Sequence, residues 1–375
     1  LLTVPPTPPA PGNLKNGPLN QASATGTIGD NDDFTSKGIT EGITTNGGTV
    51  DPAAVTFNNS VRNVSGVDIN NVVLRPVYPA TANAVCVSCK YDINTLLPNT
   101  TVKITTPDGQ TATYTWNATA GDFNLTSGTT VQLSTLAVGQ QVNYTVDVDL
   151  PSGSSFQGYS IPLVAYVNND GNDVFNPTTE LINNITIDNL YTGYLKLTKE
   201  ARILYANGNT SAWFNDTAFT SPAGAFPASG KPQPAPGDRI QYRVTYENIS
   251  AAAPPTGANN TVLPANNVVV IENGIGTDPN ATSNNWAKDV DGNGVIDTQN
   301  VPGSAVASKG TVYFYNGLSL DPGLDGVWRT SDDVSQPGSD QAGSTAASDV
   351  TQYVNTVGTV NPGESGTFTF QRLVQ

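Results

Sequence analysis

Asp289-Val-Asp291-Gly-Asn293-Gly294-Val-Ile-Asp297 is the stretch of this chain best suited to chemistry. Oxygen-bearing side chains stand at its first, third, fifth and ninth positions, with Gly at the sixth, as in the first part of an EF-hand-type calcium loop. Ca2+ takes about six to eight oxygens, and alternate residues of a tight turn can converge on one point. The bidentate Glu of the twelfth position is absent, since Asn300 stands there. The loop therefore matches an isolated Asp-x-Asp-Gly-Asn calcium turn rather than a helix-flanked one. Asn168-Asn-Asp170-Gly-Asn172-Asp173-Val-Phe-Asn176 keeps the spacing but has fewer charges, and Asp173 replaces the Gly. Asp321, Asp325, Asp332 and Asp333 form a third candidate, and Asp30-Asn-Asp32-Asp33 is a lone acidic cluster that fits a solvated turn. The ion implied is a structural one. Long polar loops bury too little apolar surface to order themselves, and a divalent cation bridging carboxylates supplies that order.

Other chemistries are poorly provided for. The chain has no His and two Cys. Ser-His-Asp and Cys-His catalysis are excluded, and one chain cannot build a four-Cys zinc site. No Gly-rich phosphate loop follows a strand and opens a helix. Glu is scarce and the Asp residues cluster in turns, so a carboxylate-pair hydrolase is not expected either. The reading is a protein that is not an enzyme. Cys86 and Cys89 in Cys-Val-Ser-Cys fit a small structural disulfide in an oxidising compartment, with a redox pair or half of an intersubunit metal site as alternatives. The formal net charge of −15, from 31 acidic and 16 basic residues, disfavours nucleic acid and favours divalent cations.

The elements that must carry these loops are strands. In 238–247, Ile240, Tyr242, Val244 and Tyr246 alternate with Arg239, Gln241, Arg243 and Thr245. Period two marks a strand with one buried and one wet face. Tyr144, Val146, Val148 and Leu150 repeat the device after Gly139, and Phe368 and Phe370 follow Pro362-Gly363. A Gly count of 36 and a Pro count of 27 suit many turns and argue against long helices. The fold class is all-β: tandem immunoglobulin-like antiparallel β-sandwiches with long calcium-type loops and a Pro-rich N-terminal arm. At roughly 100–200 residues per domain, 375 residues allow two or three domains. The division read from the sequence is 1–50 for the arm and an irregular segment, 51–192 for a first sandwich and 193–375 for a second. Strands are expected at Val55–Val64, Val67–Tyr78, Thr101–Thr106, Thr111–Trp116, Val131–Leu136, Val142–Leu150, Ile161–Val167 and Leu181–Ile187. Gly193–Tyr205, with Tyr194, Lys196 and Thr198 alternating with Leu195 and Leu197, opens the second block, and strands are expected after it at Ile240–Asn248, Val268–Glu272, Thr311–Tyr315, Val354–Val360 and Thr367–Leu373.

Pro236-Gly-Asp-Arg-Ile-Gln-Tyr-Arg-Val-Thr-Tyr-Glu-Asn248, then Asn267-Val-Val-Val, then Val360-Asn-Pro-Gly-Glu-Ser-Gly-Thr-Phe, resembles the DUF11 repeat family. That family has immunoglobulin-like modules in bacterial and archaeal surface proteins. Residues 55–190 look like a divergent copy, with Asn63-Val-Ser, Asn71-Val-Val-Leu and Leu136-Ala-Val-Gly ahead of Tyr144. The resemblance implies an exported, cell-surface location. Some surface sandwiches carry Lys–Asn isopeptide crosslinks; Lys196, Lys199 and many Asn are available, but sequence does not position them.

The function expected is a secreted structural protein, a self-assembling subunit of an extracellular filament or S-layer. Calcium and exchange of the Pro-rich arm (Leu1–Gly12) or an edge strand between copies would stabilise it. The other reading is a monomeric adhesin or carbohydrate-binding module, with Trp286, Trp328 and Tyr313 stacking on a ligand. The chain begins at Leu1 and has no Met, which reads as a processed product, and no apolar run is long enough for a transmembrane span. Sequons at Asn63, Asn117, Asn143, Asn209, Asn215, Asn248 and Asn280 offer glycan attachment.

Overall fold

The computed structural model describes residues 12–22, 33–39, 51–78, 82, 96–155, 157–215, 234–250, 263–274, 286–287, 289, 295–315, 341–342 and 350–375. Among the described residues, all regular structure of any length is strand. The chain divides into two compact units. Unit 1 takes Leu1–Tyr194 and Ile249–Leu263; unit 2 takes Leu195–Asn248 and Pro264–Gln375.

Unit 1 contains β1 (Leu14–Pro18), β2 (Asp33–Gly38), β3 (Val55–Asn63), β4 (Ile69–Pro76), β5 (Thr101–Thr105), β6 (Thr111–Asn117), β7 (Asp122–Gly128), β8 (Val131–Leu136), β9 (Gln141–Asp149), β10 (Gly158–Val167) and β11 (Asn183–Tyr191). One sheet has the order β1-β3-β9-β5-β6-β7, the other β2-β11-β10-β4-β8. Phe57, Val61, Val102, Ile104, Tyr144, Val146 and Val148 from the first meet Val72, Leu74, Ile161, Leu163 and Leu190 from the second in one core. Both sheets thus bury their apolar phase against each other, which makes this unit a sandwich. The second sheet is covered on its outer face as well. There Val73, Val164, Tyr166, Ile185 and Ile187 pack with Val77, Ala82 and Phe175. Burial on both faces explains why β10 reads as an unbroken apolar run instead of alternating.

Unit 2 contains β12 (Leu195–Leu204), β13 (Phe214–Asn215), β14 (Arg239–Asn248), β15 (Ala265–Asn273), β16 (Thr298–Asn300), β17 (Val306–Ala307), β18 (Thr311–Tyr315), β19 (Gln341–Ala342), β20 (Gln352–Val360) and β21 (Ser365–Val374). Its sheets run β13-β12-β14-β21-β16, with β17 on β21, and β15-β20-β18-β19. The core is aromatic. Tyr353 lies 4.4 Å from Phe370, 5.2 Å from Trp286, 5.6 Å from Phe314 and 6.1 Å from Phe368, centroid to centroid. Such pairs each add about 0.5–1.5 kcal/mol beyond area burial.

The internal copy suspected from sequence has a structural counterpart. β3 pairs β9 and β4 pairs β8 in unit 1; β14 pairs β21 and β15 pairs β20 in unit 2. The same asparagine lock closes each. Asn63 at the end of β3 donates its Nδ2 to Leu136 O at 2.8 Å, and its carbonyl accepts from Gly139 N at 3.1 Å. Asn248 at the end of β14 donates to Val360 O at 3.0 Å, and its carbonyl accepts from Gly363 N at 2.9 Å. Gly139 and Gly363 stand at φ of 74° and 73°, and Asn71 and Asn267 at 57° and 54°. These are left-handed conformations that glycine and asparagine reach most cheaply.

Three findings depart from the sequence reading. β1 and β2 add to the sheets of unit 1 from a segment with no visible period. β2 pairs β11 in parallel, so that sheet is mixed. Asn63 and Asn248 are fully buried and bonded, so neither sequon side chain is open to a glycan.

Candidate functional site

Of the calcium-type residues, Asn168, Asp170, Asn172 and Asn176 can be placed. Their turn leaves β10 and returns toward β11, and it is held by its own hydrogen bonds. Asn168 Oδ1 accepts from Gly171 N at 2.7 Å, Asp170 Oδ1 from Asn172 N at 3.0 Å, and Asn172 Oδ1 from Val174 N at 2.8 Å. Asn168 Nδ2 donates to Asp173 Oδ1 at 2.9 Å, and Asn176 Oδ1 accepts from Thr178 N at 3.0 Å. Asp173 stands at φ 55°, the left-handed turn for which a Gly would be cheaper. Glu180 closes the base of the loop. It is 0% exposed, and its Oε2 accepts from Asn176 N at 2.7 Å. Its Oε1 has no partner, and burial raises its pKa above the ordinary carboxylate value. Sequence reasoning passed over Glu180. Among the described residues, no three Asp, Glu or Cys side chains gather as a metal ion would require. Asp289 is exposed and Asp297 half-buried. Asp291, Asn293, Asp321, Asp325, Asp332, Asp333, Cys86, Cys89, Asp30, Asp32, Trp328 and the arm up to Pro11 lie outside the described residues.

The groups that the structure does bring together are buried polar residues in the two cores. In unit 1, Asp188 (0% exposed) faces inward from β11 between Thr186 and Leu190. Its Oδ2 accepts from Asn59 Nδ2 at 2.9 Å, while its Oδ1 has no partner. Burial pushes its pKa up to about 8, against the lowering effects of the Asn59 hydrogen bond and the Lys37 charge. The Lys37 amine is 5.7 Å from the Phe57 ring centroid and donates to Thr56 O at 2.6 Å. Next to this, Tyr144 Oη donates to Asn16 Oδ1 at 2.7 Å, Asn16 Nδ2 donates to Leu163 O, and Asn16 N donates to Asn184 Oδ1.

In unit 2, Lys199 reaches from β12 to Glu272 on β15, in the opposite sheet, with Nζ 2.5 Å from Oε2. Trp286 Nε1 donates to the same oxygen at 3.4 Å, and the amine lies 5.2 Å from the Tyr242 ring centroid. Asn355 on β20 is 0% exposed, and neither atom of its carboxamide has a hydrogen-bond partner. Burying an amide unpaired costs about 1–3 kcal/mol by mutational measures. Its strand partners are Val270 and Val312. Val270 and Glu272 share a face, so Glu272 is the diagonal cross-strand neighbour of Asn355, a spacing of about 7–8 Å between Cα atoms that a long side chain bridges. Arg372 is also fully buried. It donates to Thr298 O at 2.7 Å, Val350 O at 2.8 Å and Thr298 Oγ1 at 3.1 Å, and lies 4.7 Å from the Trp286 ring centroid.

A signal for these groups was present in the sequence. Glu272 follows Val268 and Val270 at period two, and Asn355 sits between Tyr353 and Val357. Asn59 sits likewise between Phe57 and Val61. A polar residue in the apolar phase of a strand must be buried.

No family model matches the sequence, and no curated protein matches it. Among solved structures the chain is similar to one described as BspA_C_mut, with 9% identity, 88% of this chain and 86% of that one covered, and a TM-score of 0.24. It is similar also to the C-terminal domain of the Streptococcus pyogenes antigen I/II-family protein AspA, with 10% identity, coverage of 88% and 86%, and a TM-score of 0.24. Likenesses this low carry no argument about fold or function.

Proposed function

We propose that this chain is a structural module of a cell surface, a stiff spacer or building block rather than a catalyst. The observation that carries the reading is the duplication: two sandwiches with the same central pairings and the same asparagine lock. Tandem repetition of one scaffold extends a protein without adding a site. The negative charge and the DUF11-like motifs favour an exported, solvent-facing location, and no helix among the described residues is long and apolar enough to cross a membrane. Assembly into a filament or layer, by the Pro-rich arm or by strand addition at an edge, is the finer form of the proposal. Calcium in the Asp289–Asp297 loop belongs to it too. Negative-stain electron microscopy and size-exclusion chromatography, each with Ca2+ and with a chelator, test it. Polymers that dissolve on chelation are expected; a monomer indifferent to both conditions would overturn assembly and calcium together.

The adhesin reading loses one of its aromatics. Trp286 is 4% exposed and packed between Tyr353 and Phe370, so it cannot stack on a glycan. Tyr313, half-exposed on β18, is the described aromatic that this reading retains.

A further inference from the structure

Asn355 is the anomaly of unit 2. A carboxamide with neither hydrogen bond made, between two valines, does nothing for stability that a third valine would not do better. What distinguishes it is what stands beside it. Glu272 lies diagonally across on the neighbouring strand of the same face, and the Lys199 amine is held on Glu272 Oε2 at 2.5 Å. The surroundings are aromatic: Tyr242 stacks on Phe370, and Phe370 contacts Tyr353 and Trp286. A half-buried amine, a buried carboxyl group and a buried, unpaired primary amide at one place are the reactants and the proton carrier for transamidation.

We propose that Lys199 and Asn355 join covalently, Lys199 Nζ to Asn355 Cγ, with Glu272 as the catalytic proton carrier and ammonia as the leaving group. A proton passes from the ammonium to the Glu272 carboxylate along their contact, leaving a neutral amine. Its lone pair attacks Asn355 Cγ and forms the new N–C bond. Glu272 gives its proton to the departing amide nitrogen, the Cγ–Nδ2 bond breaks, and ammonia leaves. The proton lost from the new secondary amide nitrogen returns to Glu272 and leaves with the ammonia. One ammonium and one primary amide become one secondary amide and one ammonium ion, with no oxidant or reductant. Proximity favours the step, because the fold holds the amine and the buried amide at high effective concentration. The product ties β12 in one sheet to β20 in the other, a clamp across the sandwich.

Unit 1 holds a comparable trio in Lys37, Asn59 and Asp188, with Asp in place of Glu, but there the amine is bound to the Thr56 carbonyl. One bond, not two, is therefore expected in the chain.

Intact-mass spectrometry of the purified, denatured full chain tests the proposal. The expected mass falls short of the sequence mass by one ammonia, and proteolysis releases a branched peptide joining the Lys199 and Asn355 segments. Glu272→Gln and Lys199→Arg are each expected to restore the full mass. They should lower the unfolding transition of unit 2 by roughly 10–20 °C, as expected for opening a closed loop of this length. A wild-type chain at full sequence mass overturns the proposal, as does an ammonia deficit that maps to linear peptides. A deficit that persists in Glu272→Gln overturns the role given to Glu272. Mass is read on denatured chain, so a variant that folds poorly still gives an answer.

Discussion

Asp188 shows at residue scale how a buried group makes stability depend on pH. Its carboxyl has a pKa of about 8 in the fold, against an ordinary value of 3.8. Between those two values the folded chain keeps a proton that the unfolded chain has released. Stability from this group is thus fully present below about pH 4 and declines as pH rises toward 8, by up to about 1.4 kcal/mol per pH unit. Asp108, Asp238 and Glu364 act the other way. Side-chain hydrogen bonds hold Asp108 and Glu364 low, and backbone hydrogen bonds hold Asp238 low; their contribution disappears as pH falls. The difference between wild type and Asp188→Asn isolates the buried group, since Asn keeps an acceptor for Asn59. Thermal unfolding from pH 4 to 9 is expected to show the wild type losing ground steadily to Asp188→Asn. Parallel curves would mean that Asp188 is ionised in the fold.

Elements were legible wherever a strand had its own apolar phase. Val131–Leu136 and Thr311–Tyr315 have the limits read from their sequence, and most others lie within a few residues of them. β1, β2 and β7 were missed for physical reasons. In β1 the inward positions are Leu14, in the core, and Asn16, satisfied by Tyr144, Leu163 and Asn184, and the polarity of Asn16 breaks the apolar phase after one residue. β2 has one large apolar residue, Phe34, and β7 is exposed over most of its length. The calcium-type spacing of 168–176 was legible as a turn, but the sequence did not show that its oxygens bond their own backbone. Two devices at this scale can be tested. Gly310 stands at φ 82°, with Thr356 O where a Cβ would go. Gly310→Ala is therefore expected to cost about 1–3 kcal/mol, from strain and from displacing β20. Asn248→Ala leaves Val360 O buried without its donor, a loss of about 1–3 kcal/mol. Chemical denaturation reads both. A Gly310→Ala loss under half a kcal/mol would show that the turn relaxes freely.

At the scale of the whole molecule, the two units are cohesive in different ways, which makes their unfolding separable. Unit 1 is held by an aliphatic core with a second core on the back of one sheet. Unit 2 is held by aromatic contacts and by Arg372, a buried cation bonded to Thr298, Val350 and Tyr353. Arg372→Leu removes the donors from two buried carbonyls, and about 3 kcal/mol or more should be lost. For a unit of this size that lowers its transition by roughly 6–12 °C. Calorimetry of the full chain is expected to resolve two heat-absorption peaks. Arg372→Leu should move one of them and leave the other in place. Raising the pH from 5 to 8 should move chiefly the other, because Asp188 lies in unit 1. If one peak carried both responses, the chain would unfold as a single cooperative block, and the two cores could not be treated as independent bricks. Two independently assigned peaks would instead mean that each sandwich bears its own load, as a spacer built by repeating one scaffold requires.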